Sequence, residues 1–256
     1  MATIKVMTYN LRVDNAGDGI NSFTNRRERV ISMLEKQNPD VVGFQECTHL
    51  MRAYLEQYMP AYVFVGCGRE RDCTGESMAI AYRKDAFALV SVDNFWLTAT
   101  PHVPGSTLGG DQSPCPRMAT VAVLRPFGGR GEVCVCNTHL DHVGVVTRQI
   151  EAALVCAALD AYKQPVILTG DMNAKPHTPE IATLTAAMQA RGALDVTAHL
   201  GGTFHDFGRR ASDKYSKIDY IFANGNCISC NIVPDNLDGQ GLYYSDHFAI
   251  MAEIEL

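Results

Sequence analysis

With 256 residues, the chain is long enough for one large layered domain. A composition of 46% hydrophobic and 20% charged residues excludes a disordered, collagen-like or coiled-coil protein. Its 22 basic and 28 acidic side chains leave a net charge of −6, which excludes a protein that coats nucleic acid nonspecifically, since neutralised phosphates supply most of such affinity.

In chain order, residues 4–9 alternate apolar and polar side chains and predict a strand. Residues 14–25 read as a polar loop, and Asn25 followed by Glu28 marks a helix start with reciprocal capping. That helix carries Val30, Ile31, Met33 and Leu34 and stops at Asn38-Pro39. A short apolar strand, 41–44, runs into Gln45-Glu46. Residues 78–82, 87–91 and 120–124 predict further strands, and 98–116, rich in Pro, Gly and Ser, predicts a long irregular loop. Residues 133–137 form a strand ending at Thr138-His139, followed by a helix over 146–162 with Ile150, Ala153, Leu154 and Ala157 on one face. Pro165 restarts the chain into strand 166–168, which ends at Gly170-Asp171. Thr178-Pro179 opens a helix that Gly192 closes, and 218–223 and 248–253 are the last strands.

Strand–helix–strand thus occurs twice, each time with polar residues at the carboxyl ends, where α/β proteins usually bind ligands. No linker divides the chain, so residues 1–256 are expected to form a single domain. The nine cysteines read mostly as reduced core thiols, with Cys134 and Cys136 on one strand face. Cys227 and Cys230 form a lone CxxC, with no second pair to complete a structural zinc site. The start, MATIKVMTYN, lacks the apolar core and cleavage site of a secretory signal. No apolar run approaches the roughly 20 residues that span a bilayer. A cytoplasmic protein without membrane or obligate protein partners is expected.

Six segments place oxygen donors or imidazoles directly after apolar strands: Tyr9-Asn10, Phe44-Gln45-Glu46, Asn137-Thr138-His139-Leu140, Gly170-Asp171-Met172-Asn173, Ile218-Asp219-Tyr220 and Ser245-Asp246-His247. Singly, each reads as a turn residue, a cap, an Asx-turn or a local pair. Together they put four carboxylates, three asparagines and two histidines at strand ends, where burial is costly without a cation or donors nearby. Oxygen donors without cysteine suit Mg²⁺ or Mn²⁺.

The ordered set YN, QE, THL, GDxN, IDY and SDH resembles the endonuclease/exonuclease/phosphatase superfamily, and its matches span residues 10–247. The resemblance implies an α/β four-layer sandwich, two mixed β-sheets packed face to face with helices outside. It also implies a Mg²⁺- or Mn²⁺-dependent phosphoesterase that cleaves by in-line attack of an activated water. Glu46 would be the principal metal ligand, with Asn10 beside it and Asp246 completing the site. Asp171 would orient and deprotonate the water, with Asn173 holding the water or a phosphoryl oxygen. His247, paired with Asp219, would contact the phosphate, and His139 would stabilise the growing negative charge.

Arg117 and His142 are further candidates for substrate contact, and His205 for the cleft wall. Arg148 is expected on a helix surface, and Arg69 and Arg71 in a solvated charge run. The expected substrate is a small or single-stranded phosphoester. The alternative is a DNA or RNA nuclease, which a basic rim of Arg69, Arg71, Arg83 and Arg117 would favour. A catalytically silent binding module would have lost a motif residue, and here every position is filled.

Overall fold

The computed structural model describes residues 3–129, 131–235 and 239–256. The elements are β1 (Thr3–Asn10), α1 (Phe23–Gln37), β2 (Val41–Gln45), β3 (Cys47–Thr48), α2 (His49–Tyr58), β4 (Tyr62–Val65), β5 (Glu76–Ser77), β6 (Ile80–Arg83), β7 (Phe87–Trp96), β8 (Met118–Pro126), β9 (Val133–His139), α3 (Val145–Leu159), β10 (Val166–Asp171), α4 (Pro179–Ala190), β11 (Leu194–Asp195), β12 (Asp219–Ala223), β13 (Asn226–Ile232) and β14 (Ile250–Glu255). One sheet has the order β13-β14-β1-β2-β6-β4, the other β11-β12-β10-β9-β8-β7, and β3 pairs with β5.

Strand periodicity builds the layers, because successive side chains leave a strand on opposite faces. On β1, Ile4 and Val6 enter an apolar layer that also holds Val133, Val135, Ile167 and Ile221 of the other sheet. Met7 and Tyr9 face the opposite way, against Val30 and Leu34 of α1 and Met51 and Leu55 of α2. On β9, Cys134 and Cys136 share a face, as the sequence predicts, and pack with Ala152 and Val155 of α3 and Leu184 of α4. The order is helices, sheet, sheet, helices: the expected four-layer sandwich.

Both predicted strand–helix–strand halves form. β1 and β2 are parallel across α1, and β9 and β10 are parallel across α3. Each sheet is completed by strands from the other half of the chain: β13 and β14 join the first sheet, and β7 and β8 the second.

Some boundaries differ from the sequence reading. The polar loop 14–25 contains a short 3₁₀ turn over Ala16–Asn21, and α1 starts at Phe23, ahead of the predicted Asn25. Asn25 lies inside the helix and its amide donates to Gly19 O, so the capping role does not form. In α3 the buried face is Thr147, Glu151, Ala152, Val155 and Leu159, while Ile150 is exposed. Glu151 misdirected that prediction, for this carboxyl side chain is fully buried where periodicity reserves the position for an apolar one. Helix α2 was not read at all, its ten residues falling between motifs. Residues 98–116 contain no helix or strand, as expected.

Candidate active site

The inner face of each central strand turns from apolar to polar towards its carboxyl end. Ile4 and Val6 give way to Thr8 and Asn10 on β1, Val133 and Val135 to Asn137 and His139 on β9, and Ile167 to Thr169 and Asp171 on β10. The polar tier next to the core is shared by both sheets. Gln45 Nε2 donates to Asn137 Oδ1 (2.6 Å), Thr169 Oγ1 to the same oxygen (3.1 Å), and Asn137 Nδ2 to Phe44 O (2.8 Å). The sheets approach so closely here that a Cβ at Gly43 would stand 2.1 Å from Thr169 Oγ1.

Register brings the remaining groups to the same edge. Asp171 lies opposite His139 on β9 and Asp219 on β12. Asp219 opens β12 and Ser245-Asp246-His247 precedes β14, so these groups lie at the start of their strands and not after apolar strands as the sequence suggested. Because β12 and β14 run antiparallel to β10 and β1, their starts meet the carboxyl ends of those strands. Ser245 Oγ donates to Asn10 O at 2.7 Å.

Asn10 joins the two sheets. Its Nδ2 donates to Glu46 Oε1 and to Asp171 Oδ2, each at 3.0 Å, and its Oδ1 accepts from Arg12 N. Glu46 has a left-handed backbone (φ 57°), which turns its side chain back so that Oε2 accepts from Val13 N at 2.8 Å. Asn173, also left-handed (φ 46°), donates its backbone N–H to Asp171 Oδ1. Its side-chain amide donates to Leu140 O and reaches His139 Nε2, both at 2.9 Å. The amide therefore meets the His139 Nε2 lone pair, which places the ring proton on Nδ1.

His247 sits between two carboxylates. Its Nδ1 lies 2.9 Å from Asp219 Oδ2 and its Nε2 3.7 Å from Asp171 Oδ2. Burial opposes its charge, but Asp219 and Asp171 outweigh burial and raise its pKa to about 10, so the imidazole is a cation at neutral pH. His139 goes the other way: burial, then the positive charges of Arg117 and Arg69, hold it neutral. Burial and then the charge of Asp219 push Asp171 above the usual carboxylate range. Asp246 is also raised, by burial first, with Glu46 among the charges that oppose its ionisation. Asp171, Asp219 and His247 offer ligand atoms within 4.8 Å of one another. The site thus holds two clusters: carboxylates that repel each other at Glu46 and Asp246, and carboxylates balanced by a cation around His247.

A sequence model of the Endonuclease/Exonuclease/phosphatase family matches residues 7–247. The chain belongs to this family. Among solved structures, an endonuclease/exonuclease/phosphatase from Bacteroides vulgatus is 30% identical, covers 100% of both chains and superposes with a TM-score of 0.91. The mannosyl-6-phosphatase of Bacteroides thetaiotaomicron is 26% identical over 99% of this chain and 100% of its own, with a TM-score of 0.88. D. rerio TDP2, solved with a single-strand DNA product, is 19% identical over 100% of each chain (TM-score 0.77) and shares the fold. As a member of the family, the chain is a phosphoester hydrolase.

Every motif residue of this family member lies at the one edge, and the weaker candidates divide. Arg117 Nη2 is 2.7 Å from His142 Nδ1, and its Nε is 3.5 Å from Asp141 Oδ2. Arg148 lies on α3 as expected but is partly covered, donating to Glu180 and to Asp141 O. His205 is removed from the cleft wall: it is wholly buried among the rings of Tyr215, Tyr243 and Phe248. Arg83 leaves the proposed basic rim, because Tyr82 pairs with Val41 at the amino end of β2, opposite Glu46, and Arg83 itself pairs with Asp85 and Asp40. Arg71 is exposed, but Arg69 is not part of a solvated run; it is only 6% accessible and pairs with Glu76 at 2.9 Å.

Sequence reasoning also missed Arg26, an arginine with no solvent exposure. It donates to Asn21 O, Tyr244 O, Leu11 O and Arg12 O, fastening the chain after Asn10 to the chain before Ser245. In sequence it is one charge among several on a helix, and nothing local marks it for burial.

Proposed function

We propose that the chain is a Mg²⁺- or Mn²⁺-dependent phosphoesterase acting on a small phosphoester. The observation that carries this reading is the Asn10 amide bridging Glu46 and Asp171, which brings carboxylates of both sheets to one point facing the cationic His247. The donor set fits a hard divalent cation. Glu46 and Asp246 offer oxygen, and their mutual repulsion in a buried setting is relieved by a positive charge between them. Glu46 and Asp246 would hold the ion, which when bound offsets phosphoryl charge. Asn10, whose Nδ2 faces Glu46 and Asp171 while its Oδ1 accepts from Arg12 N, would hold the carboxylates in place rather than offer the ion an oxygen.

In the proposed reaction Asp171 orients the attacking water through Oδ2 and takes its proton, while the backbone N–H of Asn173 keeps Oδ1 fixed. His247 donates from Nε2 to a phosphoryl oxygen, held in place and in charge by Asp219. His139 and the Asn173 amide form the adjoining polar wall. Phosphorylated sugars are the first substrate class to test, given the likeness to a mannosyl-6-phosphatase. Among the described residues no helix is long and apolar enough to cross a membrane. The nine free thiols fit a working compartment such as the cytoplasm.

The test measures hydrolysis of hexose phosphates, a generic phosphodiester, and single-stranded DNA and RNA, each with Mg²⁺, Mn²⁺ or chelator. Metal-dependent turnover of the small esters supports the proposal. Turnover of the polymers alone replaces it with a nuclease, and full activity in chelator removes the metal. Glu46→Ala is expected to abolish the response to added metal.

A further inference from the structure

One wall of the cleft is built around arginines that the mechanism does not use. Arg117 directly precedes β8, and Arg69 lies in the loop between β4 and β5. Their backbones are fastened to adjacent residues: Trp96 Nε1 donates to Arg69 O at 2.6 Å, and Leu97 N donates to Arg117 O at 2.8 Å. A small apolar cluster of Met78, Trp96 and Met118, with Cys67 against it, packs beneath both. Arg69 is tied to β5 by its pair with Glu76, and Glu76 is opposite Thr48, two residues beyond Glu46. Arg117 is tied to the loop after His139 through Asp141 and His142. The arginines therefore connect the Glu46 side of the cleft to the His139 side.

Both are buried, at 6% and 3% accessibility, yet Arg69 Nε and Arg117 Nη1 have no hydrogen-bond partner among the described residues. Glu70 Oε1 is 3.7 Å from Arg69 Nε, beyond hydrogen-bond range. A buried N–H without an acceptor is costly; both guanidinium charges are felt at His139 and at His142, and two such N–H groups around these imidazoles call for an anion. The Arg117 contact also fixes His142: its Nδ1 accepts, so the proton is on Nε2, and this ring is exposed. Burial and then the charges of Arg117 and Arg69 keep His142 neutral.

We infer that Arg69, Arg117 and His142 form the pocket for a terminal, dianionic phosphate, which makes the enzyme a phosphomonoesterase. This rests on the phosphoesterase reading above and names its substrate class. A phosphodiester has two free phosphoryl oxygens and a monoester three. His247 donates from one wall, and the arginine wall supplies donors for the extra oxygen and its charge.

The experiment compares kcat/KM for p-nitrophenyl phosphate and bis(p-nitrophenyl) phosphate in wild type, Arg69→Gln, Arg69→Lys and His142→Ala. Binding of inorganic phosphate to each protein is measured by calorimetry, and melting temperature reports folding. Wild type is expected to favour the monoester at least 100-fold. Arg69→Gln should lower monoester kcat/KM at least 10-fold more than diester kcat/KM, and weaken phosphate at least 10-fold. Arg69→Lys, which keeps the charge without the fork, should fall between. His142→Ala, at an exposed position, should weaken phosphate several-fold with unchanged melting. A wild-type preference for the diester, or equal losses on both esters with unchanged phosphate affinity, overturns the proposal. Phosphate binding is read without turnover, so a phosphate affinity indifferent to Arg69 and His142 overturns the pocket even where hydrolysis stands.

Discussion

The environment of each carboxyl and imidazole, more than its identity, decides what it can do at this site. Asp171 and Asp219 are chemically alike, yet one faces the reacting edge and the other is committed to His247 and to Thr203 Oγ1 at 2.5 Å. Asp171→Ala is expected to leave a folded protein whose kcat is down at least 100-fold, checked by steady-state assay beside circular dichroism. Glu151 offers a test of stability. Burial pushes its pKa up to about 8, and its Oε2 accepts from Asp141 N at 2.7 Å. The folded carboxyl thus stays protonated while the unfolded one ionises near pH 4, so its contribution is full below about pH 4 and is lost as pH rises towards 8. Glu151→Gln removes that penalty, and its melting temperature should gain on wild type more at pH 8 than at pH 5. An equal difference at both values would show that Glu151 is ionised in the folded protein. The residues at strand ends were legible in sequence because their motifs are local. Arg26, Arg69 and Glu151 were not, because their partners lie on other elements and each occupies a position where local pattern predicts either solvent or an apolar side chain.

Element by element, polar contacts from distant loops finish what local sequence leaves open. The N-cap of α3 is Gly144, which has no side chain to cap with, and Asp111 does the work from the long loop. Its carboxylate accepts from Val146 N, Thr147 N and Thr147 Oγ1. Asp111→Ala should lower the melting temperature by roughly 2–4 °C, measured by scanning calorimetry, with the loss confined to the start of α3 in hydrogen exchange. Next to it, Asp141 accepts from the backbone of Ser113, Val143 and Gly144. Burial works against its charge, but these donors and the Ser113 hydroxyl hold its pKa at about 2. Its stabilising contribution is therefore complete above about pH 4 and disappears as pH falls to 2. The central strands were legible because alternation and the ends of apolar runs announce them, but the two edge strands of the first sheet, β4 and β13, were not read. The buried side of α3 and the existence of α2 were not legible either, since a mostly apolar helix shows no preferred face and Thr48, which caps α2 by accepting from Met51 N, also ends the two-residue strand that directly precedes the helix.

For the molecule as a whole, the two repeated halves were readable from the recurrence of strand, helix and strand, and the four layers followed from the family resemblance that the motifs carry. How closely the sheets approach was not readable. That depends on Gly43, which in sequence is one small residue in an apolar run, and on the shared tier of Gln45, Asn137 and Thr169. Gly43→Ala forces the sheets apart where both contribute to the site. It should cost about 1–3 kcal/mol in denaturant unfolding and lower kcat far more than its distance from the phosphate suggests. A stable, fully active Gly43→Ala enzyme would show that the spacing is slack. The exchange of outer strands between halves carries a different consequence. Each half of the chain lends two strands to the sheet founded by the other, so neither could close its own sheet in isolation. As the chain emerges during synthesis, the first sheet must wait for strands made long after its own first pair, β14 among them. Asp246 and His247 lie just ahead of that strand, and hydrolytic competence is therefore withheld until β14 docks.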